Sequence, residues 1–161
     1  MPILSRLLLG LGFDCAVGVP DSHLTALMEQ VERSIPVYIA PREDVAVAAA
    51  CGLTLGGSRP LLYMKNAGLF TCGDALLSLA RDMEIGLCLL VGWAGVCTDN
   101  RPHHVVSGER TTPFLDSLGI CWRALGEETS GVGQTAAWYA GCRRRRTHCA
   151  LLLPPGGTDG H

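Results

Sequence analysis

The sequence has 161 residues, of which 48% are hydrophobic and 17% are charged, and its formal net charge is −2. This length suits one domain with its own apolar core, and the weak negative charge offers no electrostatic basis for binding nucleic acid or an anionic membrane surface. The composition is apolar for a protein that stays alone in solution, which predicts that a partner covers part of the surface.

Eight cysteines occur without any Cys-x-x-Cys pair, so the sequence predicts buried free thiols rather than a zinc cluster. The apolar start of the chain, residues 6–13, lacks the small-x-small cleavage site of a secretory signal and is expected to form a first helix closed by glycine. No apolar run reaches the length of a membrane span. These features predict a cytoplasmic protein.

Short apolar segments alternate with helical patterns along the chain. Six segments are predicted to be strands, at residues 15–19, 37–40, 61–64, 87–91, 120–123 and 149–153. Later helices are predicted at residues 43–55, 73–81, 113–118 and 130–142. The alternation indicates an α/β fold, a doubly wound, mainly parallel six-stranded sheet with helices on both faces. We expect one domain over residues 1–155 and a flexible tail over residues 156–161.

Polar residues follow several of the predicted strands. The segments that contain Asp21, Glu43, Asn66 and Trp93 each come directly after a strand. Because the carboxyl ends of parallel strands meet at one edge, where ligands bind, we expect these segments to gather there. Residues 96–112, with several charged and histidine side chains, are predicted to be an irregular loop, and loops of this length are usually functional or mobile.

Glu43 begins the most apolar helix of the chain. The eleven residues after Asp44 carry no charge, and a helix that is apolar on every side is either buried or pressed against another subunit. The helix dipole favours a carboxylate in the first turn. Taken alone, this window fits an ordinary N-terminal acid on a core helix.

Four segments, in chain order, resemble the pyrimidine-binding domain of thiamine-diphosphate-dependent decarboxylases, in particular phosphonopyruvate and sulfopyruvate decarboxylases. They are Gly18-Val19-Pro20-Asp21-Ser22 (family GVPDS or GVPCS), residues 42–52 (N-E-G-x-A-V-A-x-A-A-G), Lys65-Asn66-Ala67-Gly68-Leu69 (Q-N-S-G-L), and residues 89–95 with 102–104 (L-L-x-G-W-R-G and P-Q-H). The chain departs from the family at Ala67, Phe70, Thr71 and Ala94, where the family has serine, glycine, asparagine and arginine.

The resemblance implies that the chain takes part in converting a small anionic 2-keto acid, of the phosphonopyruvate or sulfopyruvate type, to an aldehyde and carbon dioxide. Glu43 would be the catalytic residue, because a carboxylate bound to N1′ of the aminopyrimidine promotes loss of the cofactor's thiazolium C2 proton. By the same resemblance, Glu43, Pro20, Asn66, Gly68 and Leu69 would contact the cofactor, and Asp21, Ser22 and His104 the substrate.

Some of these residues also have a structural interpretation. Asp21 or Ser22 suits the N-cap of the following helix, and we favour the cap for Asp21. His104 is either a partner of the substrate's acidic group or a solvated loop residue, and His103 is expected to face solvent. Trp93 either walls the site or belongs to the core.

The chain lacks the G-D-G…N-N segment with which the family holds the diphosphate and its Mg²⁺. The resemblance therefore implies the α subunit of a hetero-oligomer, whose β subunit anchors thiamine diphosphate and Mg²⁺, with no metal ligand from this chain. The alternative is a degenerate, non-catalytic pyrimidine-type domain that acts as a binding or scaffolding subunit. The departures at Ala67, Phe70 and Ala94 support the alternative, whereas the retained Glu43 argues against it.

Overall fold

Six strands form a single sheet in the computed structural model, which describes residues 2–126 and 131–156. The strands are β1 (Cys15–Gly18), β2 (Val37–Ile39), β3 (Pro60–Lys65), β4 (Cys88–Gly92), β5 (Cys121–Ala124) and β6 (Cys149–Leu153). Their order across the sheet is β2-β1-β3-β4-β6-β5, and all five neighbouring pairs are parallel.

Helices cover both faces of this sheet, which confirms the predicted fold class. They are α1 (Pro2–Gly10), α2 (Thr25–Glu32), α3 (Glu43–Leu55), α4 (Asn66–Leu69), α5 (Pro102–Ser117) and α6 (Val132–Arg144), with a 3₁₀ turn (Phe70–Cys72) and a π-helix (Ala75–Arg81) between α4 and β4. One apolar cluster joins the sheet to α1, α2 and α6, and a second joins it to α3, the π-helix and α5.

Strand β4 explains why the central strands have unbroken apolar sequences. Cys88 and Leu90 pack into the first cluster, whereas Leu89 and Val91 pack into the second. Successive side chains of a strand point to opposite faces, so a strand covered on both faces needs apolar residues at every position.

The chain changes direction across the sheet between β1 and β3. From β1 it moves outward to β2, and from β3 it moves the other way to β4 and beyond. In an open parallel sheet, ligands bind at such a switch point, outside the carboxyl ends of the strands. The segments after Gly18, Lys65 and Gly92 therefore line the edge at which a site is expected.

The predicted loop over residues 96–112 is wrong, because α5 begins at Pro102 and continues through Pro113 to Ser117. The separate short helix predicted at 113–118 is the last part of α5. The buried stripe of α5 consists of His104, Gly108, Thr111 and Leu115 at helical spacing. Only one of these residues is plainly apolar, so the stripe gives no hydrophobic signal in the sequence.

Two other segments differ from the prediction. The residues after β3, predicted to be a polar loop, form α4 and the 3₁₀ turn, and the helix predicted at 73–81 is the π-helix. The start of the helix predicted at 130–142 and most of the predicted tail, residues 157–161, lie outside the described residues. Within the part of the chain that the structure describes, no helix has both the length and the hydrophobicity needed to cross a membrane.

Candidate active site

Glu43 is the first residue of α3, which it enters from the extended N-cap residue Arg42. Its carboxylate lies against the main chain of Gly68 in α4, since a Cβ atom at position 68 would overlap Oε1 and the carboxyl carbon of Glu43. Glu43 is partly exposed, and the first turn of the helix favours its negative charge. The structure thus brings together two residues that the resemblance assigns to the cofactor.

Asn66, the residue directly after β3, is fully buried and joins three elements. Its Nδ2 donates to the carbonyl oxygen of Ala94 (2.9 Å) and to the hydroxyl of Thr111 (3.0 Å), which ties the ends of β3 and β4 to α5. Its Oδ1 is buried with no hydrogen-bond partner among the described residues. Leu69 is fully buried in the apolar cluster that includes α3, so its side chain belongs to the core.

Asp21 is buried, but it does not cap α2, so the favoured cap interpretation is wrong. The N-cap of α2 is Leu24, and no side-chain hydrogen bond caps the helix at this residue. The turn is held instead by the main-chain oxygen of Asp21, which accepts from the Leu24 amide (2.9 Å) and the Thr25 hydroxyl (3.1 Å). Ser22 is exposed and does not cap the helix either.

The carboxylate of Asp21 lies over β4, where a Cβ atom at Gly92 would overlap Oδ2. Among the described residues, Oδ2 has no hydrogen-bond partner. Burial raises the pKa of the Asp21 carboxyl, whereas the charges of His23 and Lys65 and a hydrogen bond from the His23 amide oppose that rise. A buried carboxyl whose one oxygen lacks a hydrogen-bond partner is suited to holding a proton on that oxygen.

His104 lies in the first turn of α5 and is buried, so it is not a solvated loop residue. Its Nε2 is 3.0 Å from Nζ of Lys65, and its Nδ1 is 2.7 Å from Oδ2 of Asp99. A lysine ammonium can only donate, so Nε2 accepts from Lys65 and Nδ1 carries the proton that it donates to Asp99. Both ring nitrogens of His104 are therefore bound within the protein.

Asp99 is the centre of this hydrogen-bonded group. It accepts from Nε and Nη2 of Arg101 (2.7 and 3.1 Å) and from the Gly95 amide (3.0 Å), in addition to His104. The Arg101 guanidinium, followed by the His104 ring, holds the pKa of the Asp99 carboxyl well below its usual range. His23 lies beside the group, with Nε2 at 3.4 Å from Nη2 of Arg101.

The remaining predicted residues lie around this edge. Pro20 is exposed, and a cavity of about 150 Å³ opens beside it, lined also by Asp21 and Tyr63. His103 is exposed, as predicted, and its ring centroid is 4.4 Å from that of His104. Trp93 is partly buried and donates from Nε1 to the Gly108 carbonyl oxygen (3.0 Å), so it fastens the end of β4 to α5.

Sequence reasoning missed Lys65, Asp99 and Thr111 as members of the site. Lys65 carries a usable signal, because it is the only lysine of the sequence and directly ends a predicted strand. Asp99 and Thr111 carry none, since their contacts depend on α5, which the sequence did not predict.

No group of three His, Cys, Asp or Glu side chains in the described residues is arranged to hold a metal ion.

Comparison with known proteins agrees with these motifs, although no protein-family model matches the chain. A phosphonopyruvate decarboxylase from Streptomyces viridochromogenes is 31% identical over 156 residues, which cover 92% of this chain. A sulfopyruvate decarboxylase subunit alpha from Methanothermobacter thermautotrophicus is 28% identical over 114 residues, which cover 70% of this chain and 69% of that subunit. Over most of its length the chain is thus homologous to phosphonopyruvate and sulfopyruvate decarboxylases. The resemblance read from its four motifs is thereby confirmed.

The family relationship covers different shares of these proteins. The chain spans 38% of the length of the Streptomyces decarboxylase. In fold it is similar to a thiamine diphosphate-dependent 4-hydroxybenzoylformate decarboxylase from Rhodococcus jostii RHA1, with a TM-score of 0.70 at 15% identity, over 99% of this chain and 31% of that one. The phosphonopyruvate and sulfopyruvate decarboxylase family therefore includes both long single chains and separate α subunits of about this size.

Proposed function

We propose that this chain is the α subunit of a two-component thiamine-diphosphate-dependent decarboxylase, which converts a small anionic 2-keto acid to the aldehyde and carbon dioxide. The observation that carries the proposal is the Glu43 carboxylate, held over Gly68 at the ligand-binding edge of the sheet. The relatives that support it are named as phosphonopyruvate and sulfopyruvate decarboxylases. Beyond the departures at Ala67, Phe70 and Ala94, nothing in the described residues or among the relatives favours a non-catalytic scaffolding subunit.

When bound, thiamine diphosphate would supply the electron sink that allows a 2-keto acid to lose carbon dioxide. In this proposal Glu43 would hold N1′ of the aminopyrimidine and would share a proton with it. Ala46 and Val47, in the next turn of α3, are fully buried, and surroundings of low polarity strengthen a hydrogen bond to the carboxylate.

The exposure of the other proposed cofactor residues decides whether each can touch the cofactor or only supports the site. Pro20 is exposed and can face the cofactor directly, whereas Asn66 and Leu69 are fully buried. Asn66 and Leu69 therefore act by holding α4 in place, and Gly68 acts by leaving room for Glu43. Each of these assignments is part of the proposal.

Substrate contacts are proposed for Asp21 and Ser22, beside the switch point of the sheet. Because burial raises the pKa of the Asp21 carboxyl, this residue can carry a proton that an aldehyde-forming reaction needs. His104 was expected to touch the substrate, but both of its ring nitrogens are bound to Lys65 and Asp99. We therefore propose a supporting role for His104.

The proposed partner is a β subunit that carries the diphosphate and Mg²⁺ site. Helix α3 buries Ala46, Val47, Ala50 and Cys51 and leaves a stripe open to solvent. The open stripe consists of Val45, Ala48, Gly52 and Leu55. Val45 and Leu55 are 43% and 62% exposed, which supports a subunit contact on this side of α3.

We propose the cytoplasm as the location of the protein. All eight cysteines are free thiols, as is usual for proteins of a reducing compartment.

The test uses the chain together with a subunit of the same organism that carries a G-D-G…N-N segment. Glu43→Gln keeps the size of the side chain but removes the charge, so we expect turnover of phosphonopyruvate or sulfopyruvate to be nearly abolished. Asp44→Asn is the matched control, because the neighbouring carboxylate is bound to Arg42 (2.9 Å) and should be dispensable for turnover. Near wild-type activity of Glu43→Gln would contradict the proposal.

Calorimetry on the chain alone tests the role of the partner. We expect no measurable binding of thiamine diphosphate with Mg²⁺, because a contact to the aminopyrimidine alone offsets little of the entropy lost on binding. Micromolar binding by the isolated chain, or carbon dioxide release from a 2-keto acid without a partner, would show that a second subunit is not needed.

A further inference from the structure

Lys65 carries a positive charge that no carboxylate neutralises directly. It is the last residue of β3, it is partly buried, and its Nζ donates to the neutral Nε2 of His104. In residues 2–126 and 131–156, no Asp or Glu lies within ion-pair distance of Lys65. Asp21 is near enough to interact with it electrostatically but makes no direct pair.

The neighbouring charged groups, Asp99 and Arg101, are paired with each other. Asp99 holds Arg101 through two hydrogen bonds, so the charge of Arg101 is already balanced. The same carboxylate fixes Nδ1 of His104, which directs Nε2 of that ring toward Lys65. The group therefore positions one ammonium, that of Lys65, and leaves its charge available to a ligand.

Lys65 lies at the carboxyl end of β3, beside the point between β1 and β3 where the chain changes direction across the sheet. Lys65 is paired in register with Gly92 of β4, and the buried carboxylate of Asp21 lies over Gly92. The ammonium thus stands at the edge of the sheet where the substrate contacts Asp21 and Ser22 are proposed. A ligand bound there would meet Lys65 and Asp21 together.

Two departures from the family motifs concern this charge. Position 65 is glutamine in the family's Q-N-S-G-L loop and lysine here, and position 94 is arginine in G-W-R-G and alanine here. The two positions are close in space, because Asn66, next to Lys65, donates to the carbonyl oxygen of Ala94 (2.9 Å). The cation missing from the end of β4 is present at the end of β3.

We propose that Lys65 binds the tetrahedral oxyanion at the far end of the substrate, a phosphonate or a sulfonate, with His104 and Asp99 as its positioning residues. This inference rests on the proposed function. The cation suits the far end rather than the departing carboxylate, because a cation on the carboxylate would stabilise the substrate more than the transition state, in which that charge is lost. The sites of decarboxylation and anion binding are therefore separate.

Kinetics of the two-subunit enzyme test the inference. For Lys65→Gln, which restores the family residue, we expect the KM for phosphonopyruvate or sulfopyruvate to rise about 10- to 100-fold, with kcat changed much less, as for loss of a charge-assisted hydrogen bond. The KM for pyruvate, which lacks the second anion, should not change. Lys65→Arg should restore part of the loss, and Arg33→Gln, an exposed residue after α2, should have no effect.

Measurements with phosphonopyruvate and with sulfopyruvate distinguish a phosphonate from a sulfonate ligand. The substrate whose KM changes more on Lys65→Gln carries the group that the enzyme recognises. An active enzyme in which Lys65→Gln leaves both KM values unchanged would overturn the inference while leaving the proposed function intact. Equal changes for pyruvate and for the dianionic substrates would also overturn it, because Lys65 would then act on the shared keto-acid group.

A measurement without turnover covers the case in which the proposed function fails. Lys65 is the only lysine of the sequence, so reductive ¹³C-methylation labels its amine and otherwise only the chain's N-terminal amine. Titration of the labelled chain with methylphosphonate and with methanesulfonate should shift the dimethyl-lysine resonance saturably, whereas acetate should not. If no decarboxylase activity is found, a resonance that stays unchanged in all three titrations overturns the inference.

Discussion

The carboxylate of Glu43 occupies the space that any side chain at position 68 would need. The contact joins the first turn of α3 to α4, so the glutamate and the glycine of two separate motifs form one unit. Glycine at this position is therefore required by the carboxylate, since the main chain of Gly68 is helical and has no positive φ that would itself call for glycine.

Gly68→Ala should separate these two residues. The added methyl group forces the Glu43 side chain or α4 to move, and a small misplacement of a catalytic group costs up to about 100-fold in rate. We expect turnover of the two-subunit enzyme to fall about 10- to 100-fold, and urea denaturation to show a loss of about 1–3 kcal/mol from overpacking. Gly133→Ala in α6, where a Cβ atom meets open space, is the control and should leave both quantities unchanged or raise stability.

Thr111→Val should weaken the attachment of α5. The hydroxyl of Thr111 accepts from Asn66 (3.0 Å) and donates to the Ser107 carbonyl oxygen (2.7 Å), and both partners are lost in the variant. Because one N–H of the buried Asn66 amide is then unpaired, we expect the free energy of unfolding to fall by about 1–3 kcal/mol. Thr112→Val makes the same chemical change at the next, half-buried position and should cost much less. Equal costs for the two variants would contradict this account of Asn66.

His148 should make stability depend on pH. The ring is buried, its Nδ1 accepts from the Leu87 amide (3.1 Å), and its Nε2 donates to the Leu76 carbonyl oxygen (3.1 Å), so the folded protein holds it neutral. Burial, with a smaller effect of the Arg81 charge, lowers the pKa of His148 from its usual 6.5. Its contribution to stability is therefore complete above pH 6.5 and decreases as the pH falls from there through the folded-state pKa.

The measurement is urea denaturation of the wild type and of His148→Gln between pH 8 and pH 5. Over the window below pH 6.5, the wild type should lose up to about 1.4 kcal/mol per pH unit more than the variant. His103→Gln, which replaces an exposed histidine, should keep the wild-type dependence. A variant at position 148 with the wild-type slope would show that another group titrates.

Ala48→Arg should block assembly without unfolding the chain. Ala48 lies on the open stripe of α3, where a large charged side chain is compatible with the isolated subunit but not with a close apolar contact. We expect the variant to keep its circular dichroism spectrum and to remain uncomplexed in size-exclusion chromatography with the β subunit. Ala137→Arg, at an alanine of α6 that is also exposed, should assemble normally. Normal assembly of Ala48→Arg would place the partner on another surface.

The four inner strands of the sheet, β1, β3, β4 and β6, could be predicted from the sequence because they are covered on both faces. Such strands are short apolar runs bounded by polar or glycine-rich turns, and β6 has the bounds that the sequence predicts, Cys149–Leu153. Helix α5 could not be predicted in the same way. Its inward residues at 104, 108 and 111 pack through their small size or their hydrogen bonds, and neither property produces a hydrophobic period.

The site residues also fall into two groups, those that local sequence motifs predict and those that tertiary packing decides. Glu43 and Gly68 lie within motifs of fixed local form, so their positions follow from the order of the strands. The contacts of Lys65, His104 and Asp99 depend on where α5 lies against β3, which tertiary packing decides. For the same reason Asp21 could not be separated from a helix cap by sequence, since the cap depends on where α2 begins.

Besides the Trp93 hydrogen bond to Gly108, helix α5 is attached to two consecutive residues of the chain. Lys65 bonds to His104 in its first turn, and Asn66 bonds to Thr111 two turns further along. A ligand that draws the Lys65 ammonium away from His104 breaks only the first attachment, so the second keeps the helix from sliding or rotating. An anion can therefore bind and dissociate through movement of the Lys65 side chain alone, while α5 stays in place. Ligand exchange then needs no helix movement, which would slow it.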